Sequence, residues 1–201
     1  MVRIILVDDD ELVAEAFEVL LQTDPEFEVV ARLSNGHAVI PALEQHHPDL
    51  MLIDVKMPGP NGIDITRAVR QHGYTGKIIL LTSLACSGYL QVAIKAGANG
   101  YLLKTITAVR LIDSIHEVLQ GRTVLDPDLA AEALQLGPCP LNERELDVMR
   151  QLARGVSTLE IAKLLFLSPG TVRNYISSAM TKLGTNSRIS AISYCQDRGW
   201  L

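Results

Sequence analysis

LMLIDVKMPGPNG, residues Leu50 to Gly62, is the stretch that decides the fold of the first half of the chain. Four apolar residues run into Asp54, and Lys56 and a Pro/Gly-rich turn follow. A short apolar run bounded by turn residues reads as a buried strand. Burying a charge without compensation is costly. A carboxylate at the end of such a strand therefore needs partners, and the neighbouring strand ends are where to seek them.

Working outward, strand patterns fall at Arg3–Val7, Glu28–Leu33, Leu50–Ile53, Lys77–Leu81 and Tyr101–Leu103. Amphipathic segments near residues 11–22, 36–46, 63–71, 88–96 and 107–119 alternate with them. Five βα units of this kind predict an α/β fold with a parallel sheet and right-handed crossovers. In the flavodoxin-like order 2-1-3-4-5, strands 1 and 3 are neighbours, and ligands bind at the carboxyl ends of the strands. Asp8, Asp9 and Asp10 follow strand 1, and Asp54 follows strand 3. Thr82 and Ser83 follow strand 4, and Lys104 follows strand 5. Asp10 reads as a helix N-cap. Asp8, Asp9 and Asp54 come together, and clustered carboxylates repel unless a cation compensates them. A hard, oxygen-ligated ion such as Mg2+ suits them. A carboxylate beside Mg2+, an ammonium and a hydroxyl is equipped to accept a phosphoryl group.

Past residue 120 the pattern changes. Residues 121–140 hold Gly121, Pro127, Gly137, Pro138 and Pro140 around a short helix candidate at Asp128–Leu136. That composition predicts an ordered linker rather than a flexible one. From residue 141 only helices are predicted, four of them. Asn142 with Glu145 and Ser157 with Glu160 have capping-box spacing. Ser168-Pro169 supplies an N-cap followed by proline at the first helical position. In the third helix Val172, Ile176, Ala179, Met180 and Leu183 share one face, while Asn174, Ser177 and Thr181 lie opposite. A short helix, a tight turn and this helix make a helix-turn-helix, whose second helix enters the major groove of DNA. An ordinary helical bundle has the same periodicity.

Charge sharpens the division. The formal net charge is −5, made up of −6 over residues 1–120, −2 over 121–140 and +3 over 141–201. Such asymmetry points to domains with different partners. Cys86, Cys139 and Cys195 fit neither a disulfide framework nor a metal knuckle, which implies a reducing cytoplasm. The three aspartates after seven residues leave no room for a signal peptide, and no apolar run approaches the length of a membrane span.

The motifs IILVDDDELV, LMLIDVKMPGPNG, IILLTS and AGANGYLLK together resemble the receiver domain of two-component response regulators over about residues 1–120. The resemblance implies that Asp54 is the phosphoacceptor. It makes Asp8 and Asp9 the acidic pair for Mg2+, with Asp9 the direct ligand and the Lys56 backbone carbonyl a further one. It also makes Thr82 and Lys104 partners of the phosphoryl group, and Tyr101 the aromatic that reorients on activation. Thr105 stands where many receivers have proline, and Lys56 occupies a variable position facing the phosphoryl group.

Residues 141–201, above all EIAKLLFLSPGTVRNYI, resemble the LuxR-type helix-turn-helix. The resemblance implies base contacts from Arg173, Asn174 and Ser177, phosphate contacts from Thr171 and Lys182, and dimerisation through the last helix. The whole chain resembles the NarL/FixJ class of response regulators. A sensor histidine kinase, double-stranded DNA and a second copy of the chain are the partners this implies. Two other readings compete: a metal-dependent phosphohydrolase with Asp54 as nucleophile, and a receiver that acts without phosphate as an interaction module. Lys56 stands where such a hydrolase places its second acid, which weighs against the first. Retention of the whole set of strand-end residues weighs against the second.

Overall fold

The computed structural model describes residues 1–83, 87–136 and 139–201. The chain divides into two compact units, an α/β one that ends near residue 131 and a helical one beyond it.

In the α/β unit the strands are β1 (Val2–Val7), β2 (Phe27–Leu33), β3 (Leu50–Asp54), β4 (Lys77–Thr82), β5 (Gly100–Leu103) and β6 (Val124–Leu125). The helices between them are α1 (Glu11–Leu21), α2 (Val39–His46), α3 (Gly62–Gln71), α4 (Ser87–Ala96) and α5 (Ala108–Leu119), and α6 (Pro127–Leu136) follows β6. All pairings are parallel, in the order β2-β1-β3-β4-β5-β6. The expected order of the first five strands is observed. The sixth strand is an addition, because Val124 and Leu125 pair with Gly100 and Tyr101 at the edge of the sheet. Two residues are too few to give a periodic signal, and they fall within the predicted linker.

Pleating sends alternate side chains to opposite faces of the sheet. Ile4, Leu6, Leu50, Leu52, Ile79, Leu81 and Leu102 lie in one cluster with Phe17 and Leu21 of α1 and Leu111, Ile115 and Val118 of α5. Every residue of β3 is buried, Asp54 included. The run that follows Asp54 is anchored by Gly62, whose N–H donates to the Val55 carbonyl at 3.0 Å. A Cβ on Gly62 would lie 2.3 Å from the Asp54 carbonyl oxygen, so only glycine lets α3 begin this close to the end of β3.

Arg70 on α3 organises the opposite end of the sheet. Its guanidinium donates to the carbonyls of Tyr74, Gly76 and Gly97 and to Asn99 Oδ1, at 2.6–3.1 Å. Burial holds its pKa below the usual arginine value.

The helical unit contains α7 (Glu143–Ala153), α8 (Thr158–Leu164), α9 (Pro169–Leu183) and α10 (Arg188–Asp197). Both expected capping boxes form, and Ser168 caps α9 with Pro169 behind it. Gly184 ends α9 at a φ of 64°, the left-handed conformation that glycine adopts without strain. Val172, Ile176, Ala179 and Leu183 are the buried face of α9. Cys139 and Cys195 are free, and Cys195 lies in the core, while Cys86 lies outside the described residues.

Glu145 fastens α7 to α9. It is 2% exposed, accepts from Ser178 Oγ at 2.7 Å and pairs with Lys182 Nζ at 2.8 Å. Desolvation raises its pKa, but hydrogen bonds from Lys182, the Asn142 amide and Ser178 outweigh that and leave it below the usual glutamate value. A depressed carboxyl contributes stability above its unfolded value, about 4.3 for glutamate, and loses it as pH falls through the folded value. Glu145→Ala should lower unfolding stability at pH 7 by about 1–3 kcal/mol, because it strands Ser178 and removes the cap. Denaturant melts at pH 7 and pH 3 check this, and the gap between wild type and variant should shrink at the lower pH.

Candidate functional site: a carboxylate cluster and a polar helix face

The acidic site is assembled by four strand ends. Asp8 follows β1, Asp54 ends β3, Thr82 ends β4 and Lys104 follows β5. Register brings them level, since Asp54 pairs with Leu81, and Thr82 with Leu103. The Lys104 N–H donates to the Thr82 carbonyl at 2.8 Å, which fixes where its side chain starts. Lys104 Nζ then bridges two carboxylates, at 2.7 Å from Asp8 and 3.2 Å from Asp54. Both acids are only 5% exposed.

Burial raises the Asp54 pKa most, and the neighbouring Asp8 carboxylate adds to the rise. The Lys104 ammonium and the Lys56 backbone amide, which hydrogen-bonds the carboxylate, pull the other way without reversing it. Asp8 Oδ1 also accepts from the Asp10 amide at 3.1 Å, and Asp10 caps α1 as expected by accepting from Leu12 and Val13. Asp9 is exposed at the mouth of the site. Carboxylate oxygens of Asp8, Asp9 and Asp54 all lie within 4.8 Å of one another. Three carboxylates against one ammonium leave net negative charge, and every donor is oxygen. That donor set suits a hard divalent cation.

Thr82 is buried at 3% exposure, and Tyr101 is fully buried. The Tyr101 ring is thus already inside, so any reorientation starts from the inward position. Lys56 is exposed. On α9, Arg173, Asn174 and Ser177 are exposed on the face opposite the core, and Thr171 is half-buried with its hydroxyl 2.8 Å from that of Ser168. Lys182, expected at a DNA phosphate, is exposed on α9 and pairs with Glu145 at 2.8 Å. Sequence reading gave Glu145 only its cap. Its spacing from Asn142 accounted for it fully, and nothing local signals a partner on α9.

Lys104→Met should raise the Asp54 pKa further, because the main influence opposing burial disappears while Asp8 remains. Carboxyl-carbon NMR titration of the metal-free protein reads this, and an unchanged or lower value would refute the bridge.

Residues 4–116 match the response regulator receiver domain family, and residues 139–195 match the luxR family of bacterial regulatory proteins. Over 200 residues the chain is 36% identical to the transcriptional regulatory protein DesR of Bacillus subtilis (strain 168), covering 100% of this chain and 99% of that one. It is 35% identical to the nitrate/nitrite response regulator protein NarP of Escherichia coli (strain K12), covering 98% and 96%. Among solved structures it is similar to the two-component response regulator RcsB in its DNA complex, with a TM-score of 0.68, 25% identity and 98% of each chain covered. The chain therefore belongs to the NarL/LuxR family of two-component response regulators, transcriptional regulators rather than catalytic enzymes, with a receiver domain followed by a LuxR-type helix-turn-helix.

Proposed function

We propose that this regulator is switched by phosphorylation of Asp54 and then binds DNA as a dimer. The observation that carries the reading is the bridge from Lys104 to both Asp8 and Asp54 at the strand ends. An Asp54 oxygen attacks the phosphorus of a donor, a phosphohistidine on a sensor histidine kinase or a small acyl phosphate. A new O–P bond forms as the donor's bond to phosphorus breaks, and the donor's leaving group takes the electron pair. Lys104 lies where it neutralises the incoming phosphoryl group, and the Thr82 hydroxyl lies at the adjacent strand end to hydrogen-bond it. Asp8, Asp9, Asp54 and the Lys56 carbonyl would hold Mg2+, which supplies charge neutralisation. Transfer replaces a carboxylate held by Lys104 with a larger, more negative group. That draws Thr82 inward and favours the receiver conformer that pairs with a second copy, a population shift.

In this reading residues 1–120 are the receiver, 121–140 the linker and 141–201 the DNA-binding domain, at work in the cytoplasm. Among the described residues no helix is long and apolar enough to cross a membrane. Arg173, Asn174 and Ser177 form the polar face of α9 that would read base edges, and Thr171 sits at its start to meet a phosphate. Lys182, exposed and paired with Glu145, keeps ammonium donors free to meet a phosphate. RcsB, whose structure in a DNA complex is similar to this chain, supports the DNA-binding arm by analogy.

Asp54→Asn should abolish Mg2+-dependent labelling by acetyl phosphate while the fold, followed by circular dichroism, stays intact. Equal labelling of variant and wild type would place the acceptor elsewhere. Arg173→Ala should weaken binding to a selected DNA site by about 1–3 kcal/mol if the guanidinium reads a guanine. An even loss across all sequences, with the salt slope reduced by about 1, would assign it to phosphate instead. No change in affinity would remove Arg173 from the interface.

A further inference from the structure

The helices α7, α8, α9 and α10 all end alike. One residue turns left-handed, its N–H donates to the carbonyl three residues back, and the following N–H donates to the carbonyl five residues behind it. Glycine holds that position after α7, α9 and α10, as Gly155, Gly184 and Gly199, with φ of 78°, 64° and 63°. The same pair of bonds closes α3, α4 and α5 at Gly73, Gly97 and Gly121. Among these seven helices α8 alone puts a side chain there, Phe166, at a φ of 55°. Glycine meets no Cβ clash in this conformation, whereas any other L-residue does. The turn itself does not need the ring. Its bonds are backbone ones, from Phe166 N–H to the Lys163 carbonyl and from Leu167 N–H to the Ala162 carbonyl, at 3.4 Å and 2.8 Å. Leu167 packs on the core, while Phe166 is 96% exposed. The residue thus strains the backbone and returns no packing to the fold. Strain that the surrounding structure holds in place is a pointer to function.

Phe166 lies two residues ahead of Ser168, the N-cap of α9. Two residues of chain span at most ~7 Å. The ring therefore stands beside the start of the helix proposed to enter the groove. The Ser168 and Thr171 hydroxyls, 2.8 Å apart, mark that start, where Thr171 is proposed to meet a phosphate. A phosphate held there brings its deoxyribose with it. Between phosphates a DNA strand presents a narrow strip of uncharged sugar C–H groups, and a single aromatic ring fits that strip.

We propose that Phe166 is a DNA contact, its ring packed on a deoxyribose next to the phosphate at the start of α9. The proposal rests on the DNA-binding reading above. Sugars are alike at every base pair and carry no charge. The contact therefore adds affinity evenly across sequences and releases no counterion. The test uses the full chain with acetyl phosphate, a duplex carrying a selected site, and duplexes of unrelated sequence, titrated over a range of salt. Unfolding of the helical unit is followed by the fluorescence of Trp200, the chain's single tryptophan, which packs on that unit's core. Phe166→Gly and Phe166→Asn both suit a left-handed turn, and asparagine does so without glycine's freedom. Each should raise the thermal midpoint and yet bind every duplex about tenfold more weakly, with the salt slope of wild type. Phe166→Tyr should keep wild-type affinity and gain no stability. Unchanged affinity in the glycine and asparagine variants would overturn the proposal and assign the ring to a partner other than DNA. A lower thermal midpoint in both would overturn it too, because the ring would then serve the fold. So would a shallower salt slope, or a loss confined to one base pair, which would mark a phosphate or a base edge instead of a sugar. Wild type that binds no duplex would overturn the DNA-binding reading itself, whereas wild type and variants that bind equally would overturn only the role of the ring.

Discussion

The Lys104 ammonium, held between Asp8 and Asp54, is the interaction that ties the strand ends of the α/β unit together. A parallel sheet covered on both faces leaves no room in its interior for charge. The ends of its strands are the first places where carboxylates can stand, and there they are still almost wholly buried. Burial raises the Asp54 pKa, and the Asp8 carboxylate beside it adds to the rise. Lys104 makes the ionised pair tolerable but does not cancel it, since burial still raises the Asp54 pKa. A site left with net negative charge is prepared for a divalent cation.

The backbone around this bridge is built to the same tolerance. Gly62 brings α3 against the end of β3, and the Lys56 amide reaches the Asp54 carboxylate. Asp10 caps α1 and donates its amide to Asp8. Helix starts, rather than helix bodies, therefore surround Asp54. Local capping rules and the geometry of the site turn out to be the same constraints seen at two scales.

Much of this was legible because the signals are periodic or local. Strand runs, capping boxes and the Ser168-Pro169 start place elements within a residue or two, and strand ends place Asp8, Asp54, Thr82 and Lys104 once the sheet order is known. Long-range polar contacts leave no such trace. The capping-box spacing accounts fully for Glu145, so its hold on Lys182 and Ser178 of α9 has no local signal. Arg70 sits on an amphipathic helix where a basic residue normally faces water, yet it gathers carbonyls from two loops. β6 has two residues and thus no period to detect.

The helical unit shows how the same chemistry can be divided between stability and recognition. Its cation-carboxylate pair links α7 to α9 through the buried Glu145 and the exposed Lys182, on the helix that presents Arg173, Asn174 and Ser177. The unit carries a net charge of only +3 over residues 141–201. Electrostatic attraction to DNA is correspondingly modest for each copy. Affinity then has to come from pairing two copies on one duplex, where the second binding event becomes effectively intramolecular. That requirement gives receiver dimerisation its leverage over DNA binding: a unit that held DNA tightly alone would leave phosphorylation little to control.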